Sequence, residues 1–228
     1  MTARAHRRRL ASLTLVFTLL LGAASAQTRE RTGTVDVVLG GEARTFHTHV
    51  QKVPENAAEG VENPDVRRML ERLAGTSQHT ATWMAMEPIV MAGIVLYAAE
   101  ELFITIGATV PMDAPGDVGE ISLEFELDRV TLALNDSEDA SIEFRFFPAS
   151  WGFDAYYAAS EGTFELLIDE VEQIDATTLR IRGSFSGTLS FQNSYQVAYN
   201  PDDTMSVSGT FDIEQVGGSS ALELVLGD

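Results

Sequence analysis

From Ile121 to Asp128 the chain alternates apolar and polar residues with a period of two, a pattern that only a strand can bury on one side. Ile121, Leu123, Phe125 and Leu127 share one face, and Ser122, Glu124, Glu126 and Asp128 share the other, the wet one. The same alternation runs through Val130, Leu132 and Leu134 and through Ile142, Phe144 and Phe146, with Asn135 to Asp139 as the turn between them. It returns in Leu179, Ile181, Phe185, Leu189 and Phe191, where Gly183 and Gly187 fall on the apolar face and allow a sharp bend or coil. Val207, Phe211 and Ile213 follow the turn-forming Asn200-Pro201-Asp202-Asp203, and Leu222, Leu224 and Leu226 supply a last strand.

Gly40-Gly41 tolerates the positive φ of a tight turn and divides Val35–Leu39 from Arg44–Val53, which predicts an opening hairpin. One helix is signalled. Val66, Met69, Leu70 and Leu73 fall three and four apart within Asp65–Ala74, with Asn63 as cap, Pro64 in the first turn and Gly75 as stop. Thr80–Met86, Ile94–Tyr97 and Leu102–Ile106 read as strands. Residues 89–103 also suit a buried helix begun by Pro88, but their β-branched residues favour strand.

These signals predict an all-β, mainly antiparallel fold: a β-sandwich or a closed soluble β-barrel with one short helix near residues 65–74. An outer-membrane barrel would carry the same alternation with its apolar face outward. The missing aromatic girdles, the helix and the closing Gly227-Asp228 weigh against it.

The front of the chain has a different character. Arg4, Arg7, Arg8 and Arg9 precede an apolar stretch from Leu10 to Leu21 and the small-residue sequence Ala24-Ser25-Ala26, the order of a cleavable signal peptide over residues 1–26. Cleavage is expected before Gln27, leaving one exported domain over 27–228, periplasmic or extracellular. Arg8-Arg9 fits a twin-arginine signal as well as the general export route. The chain has no cysteine, so neither a lipid anchor nor a disulfide is available. No later apolar run reaches the roughly 18 residues of a membrane span.

Charge narrows the partners. Taking the four signal-peptide arginines from 15 basic residues leaves 11 against 34 acidic ones, a net charge near −23. Nucleic acid and anionic membranes are disfavoured electrostatically.

Catalytic patterns fail on spacing. Gly183-Ser184-Phe185-Ser186-Gly187 lies inside a strand, whereas a nucleophile elbow needs a strand-to-helix turn. Glu124 and Glu126 alternate with core residues and read as a solvated face, not a glycosidase pair. The oxygen-rich turns Asn135–Asp139 and Asn200–Asp203 lack calcium-loop spacing. No cofactor is implied.

Two groups of residues carry binding expectations. Trp151, Phe153, Tyr156 and Tyr157 crowd into Pro148–Ser160, a stretch that Pro148 and Gly152 mark as a loop. Aromatic rings there form a rim for a small molecule, a glycan or a protein surface, or else fold inward as plugs. His47, His49, His79, Met84 and Met86 offer imidazole and thioether, a donor set suited to cuprous ion. The Trp83-Met84-Ala85-Met86 stretch resembles periplasmic copper chaperones that cap the ion with tryptophan, although Trp83 and Met84 point to opposite faces of a strand. The run Gly162–Phe191 resembles exported bacterial β-domains and names no chemistry. The expectation is therefore a non-enzymatic exported domain that binds a ligand or surface. A periplasmic copper carrier and a small envelope enzyme are the alternatives.

Overall fold

The structure is a computed structural model, and it describes residues 29–62, 64–85, 89–91, 94–97, 101–109, 119–135, 141–148, 155–193 and 196–218. Two compact units divide these residues: Arg31–His49 with His79–Asp228, and Val50–Gln78 with the residues up to Glu30. The expected signal peptide, the Asn63 cap, the turn at 136–139 and the strand at 222–226 lie outside the described residues.

In the larger unit run β1 (Arg29–Leu39), β2 (Glu42–Lys52), β4 (Ala81–Ala85), β7 (Glu101–Thr109), β8 (Glu120–Asp128), β9 (Glu143–Phe147), β10 (Ala155–Gln173), β11 (Thr178–Asn193) and β12 (Gln196–Gly218). The ends of β1 and β2 and most of β3 (Ser77–His79) fall in the other unit. The short strands β5 (Ile89–Met91) and β6 (Ile94–Tyr97) pair as a separate antiparallel ribbon, so this part of the 89–103 run is strand and not helix.

The large sheet closes on itself. Its pairings run β1–β2–β7–β8–β9–β10–β11–β12 and return to β1, so eight strands complete a ring. The closure between β2 and β7 is the pair His47 and Thr109, and β4 makes a second closure, antiparallel to β7 and parallel to β12. Gly40 and Gly41, both with positive φ, turn the chain between β1 and β2 as the sequence requires. Eight strands enclose a space just wide enough for side chains to fill. Phe46, Trp83, Phe125, Phe144, Phe185 and Phe211 occupy it with the aliphatic residues of the alternating faces. Phe144 lies 5.1 Å from Phe185 and 5.4 Å from Phe164, ring centre to ring centre. The apolar face thus points inward, opposite to a membrane barrel.

Three cross-strand pairs on this inner face match a glycine with a phenylalanine: Gly183 with Phe211, Gly209 with Phe185, and Gly187 with Phe164. A Cβ on any of the three glycines would meet its partner's ring at 2.6 to 2.9 Å, so the ring occupies the space the glycine leaves. Gly218 stands in the same relation to Trp83 on β4. Glycine weakens a strand by leaving a hole, and an aromatic laid across it fills that hole.

Two expected features differ. Val130, Leu132 and Leu134 do not form a strand: residues 129–131 turn, Leu132 has a φ of 57°, and only Leu134 bridges back, to Leu127. The cause is Asp128, whose Oδ1 accepts from the Val130 and Thr131 amides and the Thr131 hydroxyl and folds the chain before a strand can extend. Asn200–Asp203 is not a hairpin turn but a stretch of β12. The register jumps there from Ser190↔Thr204 to Phe191↔Asn200, leaving residues 201–203 as an irregularity within the strand.

The smaller unit contains the one helix among the described residues, α1 (Pro64–Leu73), within a residue of its expected bounds. Gly75, at a φ of 75°, ends it, and the Thr76 amide returns to the Leu73 carbonyl. Hydrogen bonds from Val53 to Thr76 and from Gly75 to Val53 tie its ends together.

Candidate functional site

Tyr156 and Tyr157 open β10, so the rim expected as a loop is a strand from Ala155 onward, and strand alternation separates its two tyrosines. Tyr157 turns inward at 8% exposure, edge-on to Phe191 at 5.9 Å, and its hydroxyl donates to Asp203 at 3.0 Å. The irregularity in β12 supplies that acceptor. Tyr157 is therefore a plug with a polar anchor, while Tyr156 lies half-buried on the outside against Phe147, 5.3 Å between rings. Trp151 and Phe153 lie outside the described residues.

The outward neighbours of Tyr156 follow from register. Phe147 pairs with Glu120, Glu120 with Thr109, and Thr109 with His47, so one row of outer-face side chains crosses β9, β8, β7 and β2. At about 4.8 Å per strand, His47 and Glu120 stand roughly 10 Å apart along it. The left-handed Gly119, φ 68°, leads the chain into this row beneath the Phe147 carbonyl. Burial pushes the Glu120 carboxyl from the ordinary 4.5 up to about 7.

Further along β8 the expected wet face is sealed. Glu124 is 5% exposed, Glu126 4%, and Ser122 is buried, which corrects the reading of these residues as a solvated face. Arg145 on β9 makes part of the burial tolerable: its guanidinium reaches Glu124 at 3.3 Å and also holds Glu143. Ser122 donates to Glu124 at 3.3 Å. Glu124 and Glu143 face one another directly across the strands, an arrangement that repels unless a cation bridges it. Burial raises the Glu124 carboxyl and Glu143 adds to the rise, against the pull of Arg145 and Ser122. The chemistry this face can perform is proton uptake near neutral pH and recognition by an aromatic platform beside an acceptor.

The soft-metal residues are divided. His47 and His49 share the outer face of β2 with ring centres 6.4 Å apart. His79 stacks on Gly217, Trp83 is in the core with its indole N–H donating to the Thr177 carbonyl at 3.0 Å, and Met84 is outside at 38% exposure. Burial lowers the pKa of both His47 and His79, with Arg31 adding to the effect on His47. Met86 lies outside the described residues, and among those described no three His, Asp or Glu residues gather into a metal-holding group. Elsewhere on the barrel a shallow depression of about 250 Å³ includes Asp36, Asp169, Arg182 and Asp212. Thr45 engages Asp36, and Arg180 engages Asp212 through two nitrogens.

A reversed pH dependence follows from Glu120. Its folded pKa exceeds its unfolded one, so the folded state binds the extra proton between pH 4.5 and about 7, and stability falls as pH rises through that window. At 1.4 kcal/mol per unit the effect is at most about 3.5 kcal/mol. His47 and His79, held neutral, act in the opposite sense below pH 6.5. Urea unfolding of wild type and Glu120→Gln at pH 5 and pH 8 cancels them. The wild type is expected to lose more stability than the variant on going to pH 8, and equal losses would refute the assignment.

Comparison with protein-family models, curated proteins and solved structures finds no match to this chain.

Proposed function

We propose that this chain is a non-enzymatic exported β-domain that acts by binding, through the outside of its barrel where Tyr156 and Phe147 adjoin Glu120. One observation carries the reading: the interior is filled by aromatic rings, so a ligand has to be met on the outer surface. There, Tyr156 offers a flat apolar face and a polar edge, and Glu120 offers an acceptor that becomes a donor on taking up a proton. Sugar rings and peptide surfaces suit that combination. Export rests on the basic, apolar and Ala24-Ser25-Ala26 sequence of the first 26 residues.

The two tyrosines give the test. Tyr157→Ala is expected to cost several kcal/mol as a lost core plug, and Tyr156→Ala about 1 kcal/mol or less. A thermal-shift screen against sugars, peptides and lipids is then run on wild type and Tyr156→Ala at pH 5.5 and 8. A compound that raises the wild-type melting temperature and leaves that of Tyr156→Ala unmoved supports the site. A compound that stabilises both equally places binding elsewhere and refutes it.

A further inference from the structure

β9 is the shortest of the eight strands in the ring. Its five residues all pair with β8, and the first of those pairs sets Glu143 directly opposite Glu124. Its register with β10 covers two residues, Phe146 and Arg145. A short strand so held opens more readily than the long pairings around it. Glu126 follows Glu124 on the same face of β8, and both are buried. From β7, Thr105 stands opposite Glu124 and Phe103 opposite Glu126, while the one acid of that strand, Glu101, is at its far end opposite Asp128. Arg145 is the cation shared by Glu124 and Glu143. Cations are scarce: from residue 80 onward the sequence has four arginines and no lysine or histidine. Arg180 and Arg182 are engaged on β11 by Asp212 and Glu170, and Arg129 lies just past the end of β8. From β2, Arg44 lies over the Phe146 ring and pairs with Glu42. One guanidinium between two carboxylates leaves a negative charge over, in a place shut off from water.

We propose that β9 is a pH-operated strand, paired to β8 while Glu124 and Glu143 share a proton and separating from β8 when both are ionised. Burial pushes the Glu124 carboxyl up, ahead of the opposing pull of Arg145, and Glu143 adds to the rise. Opened to water, the same carboxyl returns to the ordinary range, so the paired state holds a proton that the open state gives up. Pairing is therefore favoured at low pH and lost as pH rises through the raised value. Glu120, opposite the other end of β9 at Phe147, acts in the same sense, being pushed up to about 7 by burial. Its own row reaches His47 only past Thr109. Release of β9 takes Phe147 from Tyr156, so the device also governs the face assigned to binding, although it does not rest on that assignment.

The experiment follows the full chain by residue-resolved amide exchange at pH 5.5 and pH 9, with each rate divided by that of an unfolded chain at the same pH. Amides of Glu143–Phe147 are compared with those of Val207–Ile213 in β12, which is paired to β1 and to β11. A rise of one unit on one carboxyl is a tenfold change in the opening equilibrium, so protection in β9 is expected to fall at least tenfold more than in β12. Glu124→Gln and Glu143→Gln each remove the excess charge and are expected to keep β9 protected at pH 9. The Glu143 side chain is 39% exposed, so its variant retains the fold where the buried substitution does not. Equal loss of protection in β9 and β12 would mean unfolding of the whole barrel and would overturn the proposal. So would an undiminished pH response in Glu143→Gln.

Discussion

Gly209→Val is expected to lower stability by about 3 kcal/mol or more, a large share of the roughly 5 to 15 kcal/mol that holds a domain folded. No unusual backbone angle explains the need for glycine here, since its φ is outside the left-handed range. The reason is steric. A Cβ at this position would lie 2.4 Å from the Asp36 carbonyl oxygen on β1 and 2.7 Å from the Phe185 ring on β11. The ring can rotate aside, but the carbonyl belongs to a strand fixed by the pairing of Asp36 with Thr210. Trimming Phe185 to leucine alongside Gly209→Val should therefore recover little. Gly162→Ala is the control: its positive φ of 76° carries a conformational cost, yet no atom lies within 4 Å of the new carbon. Chemical denaturation of the three proteins settles the matter. A Gly209→Val midpoint equal to that of Gly162→Ala would refute the steric clash at Gly209.

Trp83→Ala is expected to cost about 3 to 5 kcal/mol. The indole is among the largest fully buried side chains, on the strand that joins β7 to β12, and it covers Gly218 of the opposing strand. Its removal opens a cavity and also leaves the Thr177 carbonyl without its indole donor. Trp83→Phe separates these effects. It keeps most of the ring, so it should lose mainly the hydrogen bond, about 1 to 2 kcal/mol. Urea midpoints at fixed m-value give both numbers. A loss below 1 kcal/mol for Trp83→Ala would mean that β4 is not part of the cooperative structure.

Much of this architecture is legible because its information is local. The hairpin at Gly40-Gly41, helix α1 with its stop at Gly75 and the long alternating strand β11 each depend on residues within a few positions of one another. Period two or 3.6 reports them directly. Val130–Leu134 shows where that reading fails: the apolar alternation is present, but one side chain, Asp128, holds the backbone in a turn. The candidate site was partly visible. Tyr156 and Tyr157 stood out as a cluster, whereas Glu120, Phe147 and Arg145 carried no signal, because they meet Tyr156 and Glu124 only across strands.

The sequence alone determined that the chain is built from alternating strands around an apolar core with one capped helix, since burial of one strand face depends only on which residues alternate. Tertiary structure alone decided the ring closure through His47 and Thr109 and the facing of each strand glycine by an aromatic ring. It also decided that Glu124 and Glu126, polar by alternation, are buried. Periodicity states which residues share a face. It does not state which other strand or segment covers that face, and desolvation of a carboxylate is a property of the cover.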